Sequence, residues 1–118
     1  MKMSVLGIRN GIRDAALRVG YDPRNGASQL GACRWIENAI EDWGNKYPHD
    51  SWLPTMTIAL ERIYARIDTA QSHAQARRML AWIHRRYRGS HFERVALVVA
   101  NLDRRRVHPS THRRRTTP

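Results

Sequence analysis

Apolar residues recur at every third or fourth position through most of this chain, interrupted at intervals by glycine, proline and clustered turn formers. That is the period of an α-helix. A strand-like run is confined to "VALVV", residues 95–99, and it lies inside a longer helical seam. The pattern restricts the fold to an all-α class and divides the chain into about five short helices.

The first helix runs from a Ser4 cap through Val5, Ile8, Ile12, Ala15, Ala16 and Val19 to a stop at Gly20. "YDPRNG", residues 21–26, then supplies a turn. Ser28 opens a second helix with Cys33, Ile36, Ala39, Ile40 and Trp43 on one face, Arg34, Glu37, Asn38 and Glu41 on the other, and Gly44 at its end. Residues 45–54 read as a loop whose Tyr47 and Trp52 fold back over the core. Ser51 or Asp50 caps a third helix that tolerates Pro54 in its first turn and has Met56, Leu60, Ile63 and Ile67 as its seam. Two S-x-x-Q/E boxes, Ser72 to Gln75 and Ser90 to Glu93, start the last two helices. These cover about 73–88, ending at Gly89, and about 91–106, with Phe92, Val95, Ala96, Val99 and Leu102 facing inward. A chain of 118 residues fits one compact helical domain over residues 1–106, and the polar, basic residues 107–118 read as a mobile tail.

The formal charge of +11 narrows the partners. A field of that sign attracts nucleic acid, an anionic membrane surface or an acidic protein. Its placement is uneven: residues 1–71 hold nine basic and eight acidic side chains, and residues 72–118 hold twelve arginines against only Glu93 and Asp103. Lys2 and Lys46 are the only lysines. Arginine forks suit phosphate, although arginine codons also accumulate in GC-rich genomes, which explains the Arg-to-Lys ratio but not the net charge.

On a wheel of the fourth helix, Ala76, Met79, Leu80, Ile83 and Tyr87 form the core side. Arg77, Arg78, His84, Arg85 and Arg88 form an opposite face without a carboxylate. Like charges one turn apart cost a few tenths of a kcal/mol each. Trp82 lies outside the apolar arc with Arg78 before it and Arg85 and Arg86 after it. It is either a rim side chain overlaid by arginines, a platform for an unpaired base, or an anchor for a protein partner. Two triplets follow, Arg104, Arg105 and Arg106, then Arg113, Arg114 and Arg115. The first suits the C-terminal end of a helix, and the second suits a basic arm that contacts phosphates or an acidic partner.

Signals for catalysis and metal binding are lacking. Cys33 is the lone cysteine, sits on an inward face and can form no intrachain disulfide, which makes a reducing, cytoplasmic compartment the expectation. Of the six histidines, His73 and His91 fall in helix starts, His84 on the basic face and His108 and His112 in the tail, with no H-E-x-x-H pair and no second cysteine. Glu37, Glu41 and Asp42 read as a solvated outer face. No apolar run is long enough to span a membrane.

"YRGSHFERVA", residues 87–96, resembles the start of the helix-turn-helix of sigma-factor-like and phage antiterminator proteins, in which a Tyr, a Gly and a cap introduce the first helix. The likeness covers these ten residues alone, because no second amphipathic helix follows before Pro109. It assigns the chain to no family.

The expectation is a non-catalytic, cofactor-free protein whose fourth and fifth helices and tail hold nucleic-acid phosphates largely independently of sequence. Arg77, Arg78, Arg85, Arg88, Arg104 to Arg106 and Arg113 to Arg115 make the contacts, with Trp82 as the stacking residue. The alternative is a small regulator or inhibitor, such as a phage-encoded factor, that docks on an acidic surface of a larger protein through its charge and through Trp52, Trp82 or Leu97.

Overall fold

The computed structural model describes residues 4–107, and every regular element among them is helical. The elements are α1 (Val5–Tyr21), a 3₁₀ segment (Pro23–Gln29), α2 (Leu30–Lys46), α3 (Trp52–Arg66), α4 (Ala70–Arg86) and α5 (His91–Val107). The tail read at 107–118 lies, apart from Val107, outside the described residues.

Where each helix begins depends on which polar side chain is free to cap it. Ser4 is extended and its Oγ accepts the Gly7 amide at 3.0 Å, so α1 starts where the sequence places it. Gly20 does not stop it; the helix continues to Tyr21, and Asp22 N–H donates back to the Arg18 carbonyl at 3.1 Å. Ser28 does not open α2. It lies inside the 3₁₀ segment and donates to the Asn25 carbonyl at 2.8 Å. A Cβ on Gly26 would meet Ile67 Cγ1 at 3.2 Å, so this segment crosses the end of α3 at close range. Gly44 is buried within α2 and does not end it.

Asp50 cannot cap α3, because its Oδ2 accepts the Trp43 indole N–H at 2.6 Å; Ser51 stands at the cap position without a side-chain bond. Trp43 packs against Tyr47 and Trp52, with ring centres 4.9 and 5.4 Å away. Trp52 is thereby half-buried as expected, while Tyr47 stays largely exposed.

The fourth helix is capped three residues before the serine chosen from the sequence. Thr69 is extended and its Oγ1 accepts the Ser72 amide at 3.0 Å. Ser72 is buried inside α4, with its hydroxyl 2.7 Å from the Ile67 carbonyl. The second box forms nearly as read: Ser90 Oγ accepts from Glu93 N–H, and Glu93 Oε1 accepts from the Gly89 amide at 2.8 Å. Gly89, at φ +79°, makes the left-handed turn between α4 and α5.

α3 lies at the centre, with α1, α2 and α4 against it. Ile8, Val19, Cys33, Leu53, Leu60 and Ile67 are fully enclosed there, and each large apolar side chain contributes roughly 1.5–3 kcal/mol. α5 is attached through a second, smaller cluster in which Leu80 and Ile83 meet Ala96 and Val99. Leu102, expected inward, is exposed. At that level the position facing α3 belongs to Asp103, whose Oδ1 accepts from Arg62 Nη1 at 2.8 Å, so an ion pair seats the last turns of α5.

Candidate functional site

The outward residues of α4 follow from the inward ones. Ala76, Met79, Leu80 and Ile83 are buried, and Tyr87, the C-cap of a helix that ends at Arg86 rather than at about 88, is half-buried; Arg77, Arg78 and Arg85 on α4 and Arg88 in the turn after it are left exposed. None of the four has an ion-pair partner among the described residues. Arg86 is different. Its Nη2 donates to the Gly44 carbonyl near the end of α2, and its guanidinium lies 5.4 Å from the centre of the Trp82 ring. Trp82, half-buried, also meets Tyr87 edge-on at 5.8 Å, so it has the rim position and the overlying arginine of the structural reading.

The ridge of arginines divides two depressions. On one side, α2 and α4 both lean on α3 and leave a groove of about 230 Å³ walled by Glu37, Glu41, Gln75, Arg78, Trp82 and Arg85, with Ile40 and Met79 beneath. On the other, α4 and α5 leave a cleft of about 500 Å³ with apolar walls from Ala65, Ala76, Leu80 and Ala100. Arg77 and Arg104 both line this cleft, so one arginine of α4 and one of the first triplet share a surface. Arg104 also bonds Asn101, and Arg105 is exposed. The side chains of Arg106, Arg113, Arg114 and Arg115 lie outside the described ones.

The carboxylates change the electrostatic reading in two ways. The basic face is not wholly without one, because His84 Nδ1 lies 2.5 Å from Glu93 Oε2 across the α4–α5 turn. Yet Glu93 and Asp103, the two acids of the basic half, are each only 15% exposed along their side chains and are engaged, with His84 and the Gly89 amide and with Arg62 respectively. They offset little of the outward field of the arginines. The acids of α2 act differently. Glu37, expected on a solvated face, accepts from the Tyr64 hydroxyl at 2.8 Å and from the Gln75 amide, which ties α2 to α3 and α4. Glu41 stays exposed on the groove wall across from the arginines.

Two buried acids stand apart from this surface. Burial, then the Glu37 charge, pushes the Cys33 thiol up to about 11, in keeping with its inward position. Glu61 on α3, which the sequence reading passed over, is completely buried. Burial, then hydrogen bonding and charge from Asp103, push its carboxyl up to about 9. Neutral Glu61 can donate to the buried Asp103 Oδ2, which otherwise has no partner. No neighbour in sequence marks this pair, since Asp103 comes from another helix.

A scan of the chain against protein-family models gives no match, and neither a curated protein nor a solved structure shows significant similarity to it.

Proposed function

We propose that the protein is a non-catalytic nucleic-acid-binding protein whose α4 and α5 arginines hold backbone phosphates with little regard to sequence. The observation that carries this reading is that Glu93 is engaged by His84 and the Gly89 amide and Asp103 by Arg62, while Arg77, Arg78, Arg85, Arg88 and Arg105 are exposed and without carboxylate partners among the described residues. Arg104 extends the surface along α5, with Arg106 and the triplet Arg113 to Arg115 following in the chain. Phosphate-holding arginines release counterions on binding, so affinity falls steeply with salt.

The test is a salt series of binding to labelled oligonucleotides with the nuclease-treated full chain and with an Arg78→Ala, Arg85→Ala, Arg88→Ala variant. The expected result is a log-log slope of several units that becomes about two to three units shallower in the variant. Unchanged affinity of the variant at low salt would remove this surface from the proposal.

A second reading is supported by exposed Leu97, Val98 and Leu102 on α5 beside the arginines. A small regulator docking on an acidic protein would use charge for encounter and these side chains for contact. Trp52 no longer serves that reading, being packed against Trp43. A stoichiometric protein captured by the tagged chain after nuclease treatment, and lost with Leu97→Asp, would favour the regulator.

A further inference from the structure

We infer that the groove between α2 and α4 receives a single unpaired base that carries an exocyclic amine, cytosine, adenine or guanine, in preference to thymine or uracil, from a strand whose phosphates rest on Arg78 and Arg85. The inference rests on the nucleic-acid reading above and adds to it which strand form and which base edge the protein takes.

The size of the groove is the first argument. At about 230 Å³ it has room for one flat ring system, and its apolar floor of Ile40 and Met79 with Trp82 on its wall suits a ring. A base reaches it only when unpaired and unstacked, the state in which aromatic side chains bind bases.

The charges in the groove are the second argument. Arg78 and Arg85 stand on the α4 wall with Trp82 between them in sequence, and Glu41 stands on the α2 wall. A bare polyanion would be repelled by the α2 wall, and a bare cation by the α4 wall. A nucleotide fits both, because its phosphate is anionic while its base edge presents donors.

The free hydrogen-bonding capacity is the third. Glu37 Oε1 accepts from Tyr64, and Glu37 Oε2 accepts from Gln75 Nε2. A carboxylate only accepts, so the Gln75 amide must direct its nitrogen to Glu37, which leaves its oxygen as an acceptor. Thr57 donates to the Leu53 carbonyl at 2.7 Å and has no proton to spare. With the Arg78 and Arg85 guanidiniums taken by phosphates and the Trp82 ring by the face of the base, the groups left for the base edge are acceptors, Gln75 Oε1 and the Glu41 carboxylate. They pair with the N4 amine of cytosine, the N6 amine of adenine or the N2 amine of guanine, whereas thymine and uracil present one N3–H donor between two carbonyl oxygens that the acceptors oppose.

Binding of the full chain to short labelled oligo(dC), oligo(dT), their RNA counterparts and a duplex tests this, with Trp82→Ala, Trp82→Phe and Glu41→Gln alongside. Oligo(dC) or oligo(rC) should bind about fivefold or more tighter than the thymine or uracil strand. Trp82→Ala should lower the affinity for the cytosine strand about tenfold, with Trp82→Phe recovering most of it and the duplex nearly unaffected. Glu41→Gln, an exposed position whose amide both donates and accepts, should bring the two strands to nearly equal affinity without loss of fold. Equal affinity for the cytosine and thymine strands in the unaltered chain, together with equal losses on duplex and single strand in Trp82→Ala, would overturn the inference and leave the phosphate ridge standing. Absence of salt-sensitive binding to every oligonucleotide would overturn both.

Discussion

At the scale of single residues, the least expected feature is a neutral acid in the core. Glu61 sits with no exposed surface, and its carboxyl is pushed from an ordinary 4.5 up to about 9, by burial first and by Asp103 second. The folded state therefore binds a proton that the unfolded chain releases. The stability tied to Glu61 is fully present below about pH 4.5 and is lost progressively as pH rises through about 9. Glu61→Gln keeps the shape and a donor for Asp103 Oδ2 without a charge to bury. Urea unfolding from pH 5 to 9 should show a stability that declines with pH in the native chain and a flatter profile in the variant, which gains about 1 kcal/mol or more at pH 9. A parallel decline in both would place the titrating group elsewhere.

At the scale of helices, the periodicity predicted five segments and five segments form, but their ends were decided by competition for polar side chains. Of the serines read as caps in the sequence, Ser4, Ser28 and Ser72 fared differently for local reasons. Ser4 caps; Ser28 bonds within a 3₁₀ segment; Ser72 is buried and turns to Ile67. Thr69 takes over at α4 because its extended backbone aims Oγ1 at the Ser72 amide. Thr69→Ala should cost about 1 kcal/mol in chemical denaturation, and a neutral result would return the cap to Ser72. The Gln75 amide, assigned from its spacing to a reciprocal cap, is instead spent on Glu37, a partner in a different helix. Such a choice is invisible to a rule that looks three residues back.

At the scale of the whole molecule, two clusters of unequal size imply two levels of local stability. α1 to α3 and the first half of α4 share one core, while α5 depends on the smaller cluster of Leu80, Ile83, Ala96 and Val99 and on the Arg62–Asp103 pair. Amide hydrogen exchange should reveal this, with α5 amides exchanging at least about tenfold faster than those in the middle of α3. Arg62→Ala should widen the gap by loosening the last turns of α5. Uniform protection across both clusters would show a single cooperative unit. The same division matters for binding, because Arg77 and Arg78 lie on the half of α4 seated in the main core, whereas Arg85 and the arginines of α5 lie on helix segments held by the smaller cluster.

The sequence by itself determined that the chain is helical, which residues fill most of the core, and that the positive charge gathers in its second half. These are properties of period and composition, and they survive any arrangement of the helices. The interior of α4 was legible for that reason, and so was the exposure of Arg77, Arg78, Arg85 and Arg88. Tertiary structure decided what those arginines face. Only the packing of α2 and α4 on either side of α3 sets Glu41 across a groove from Arg78 and Arg85 and turns Arg86 back onto Trp82. Only the approach of α5 to α3 draws Asp103 to Arg62 and leaves Glu61 protonated beside it. Long-range pairs between charged groups depend on distances that a helical period does not encode. The sequence therefore located the charge, and the assembly of the helices determined how much of it meets the solvent.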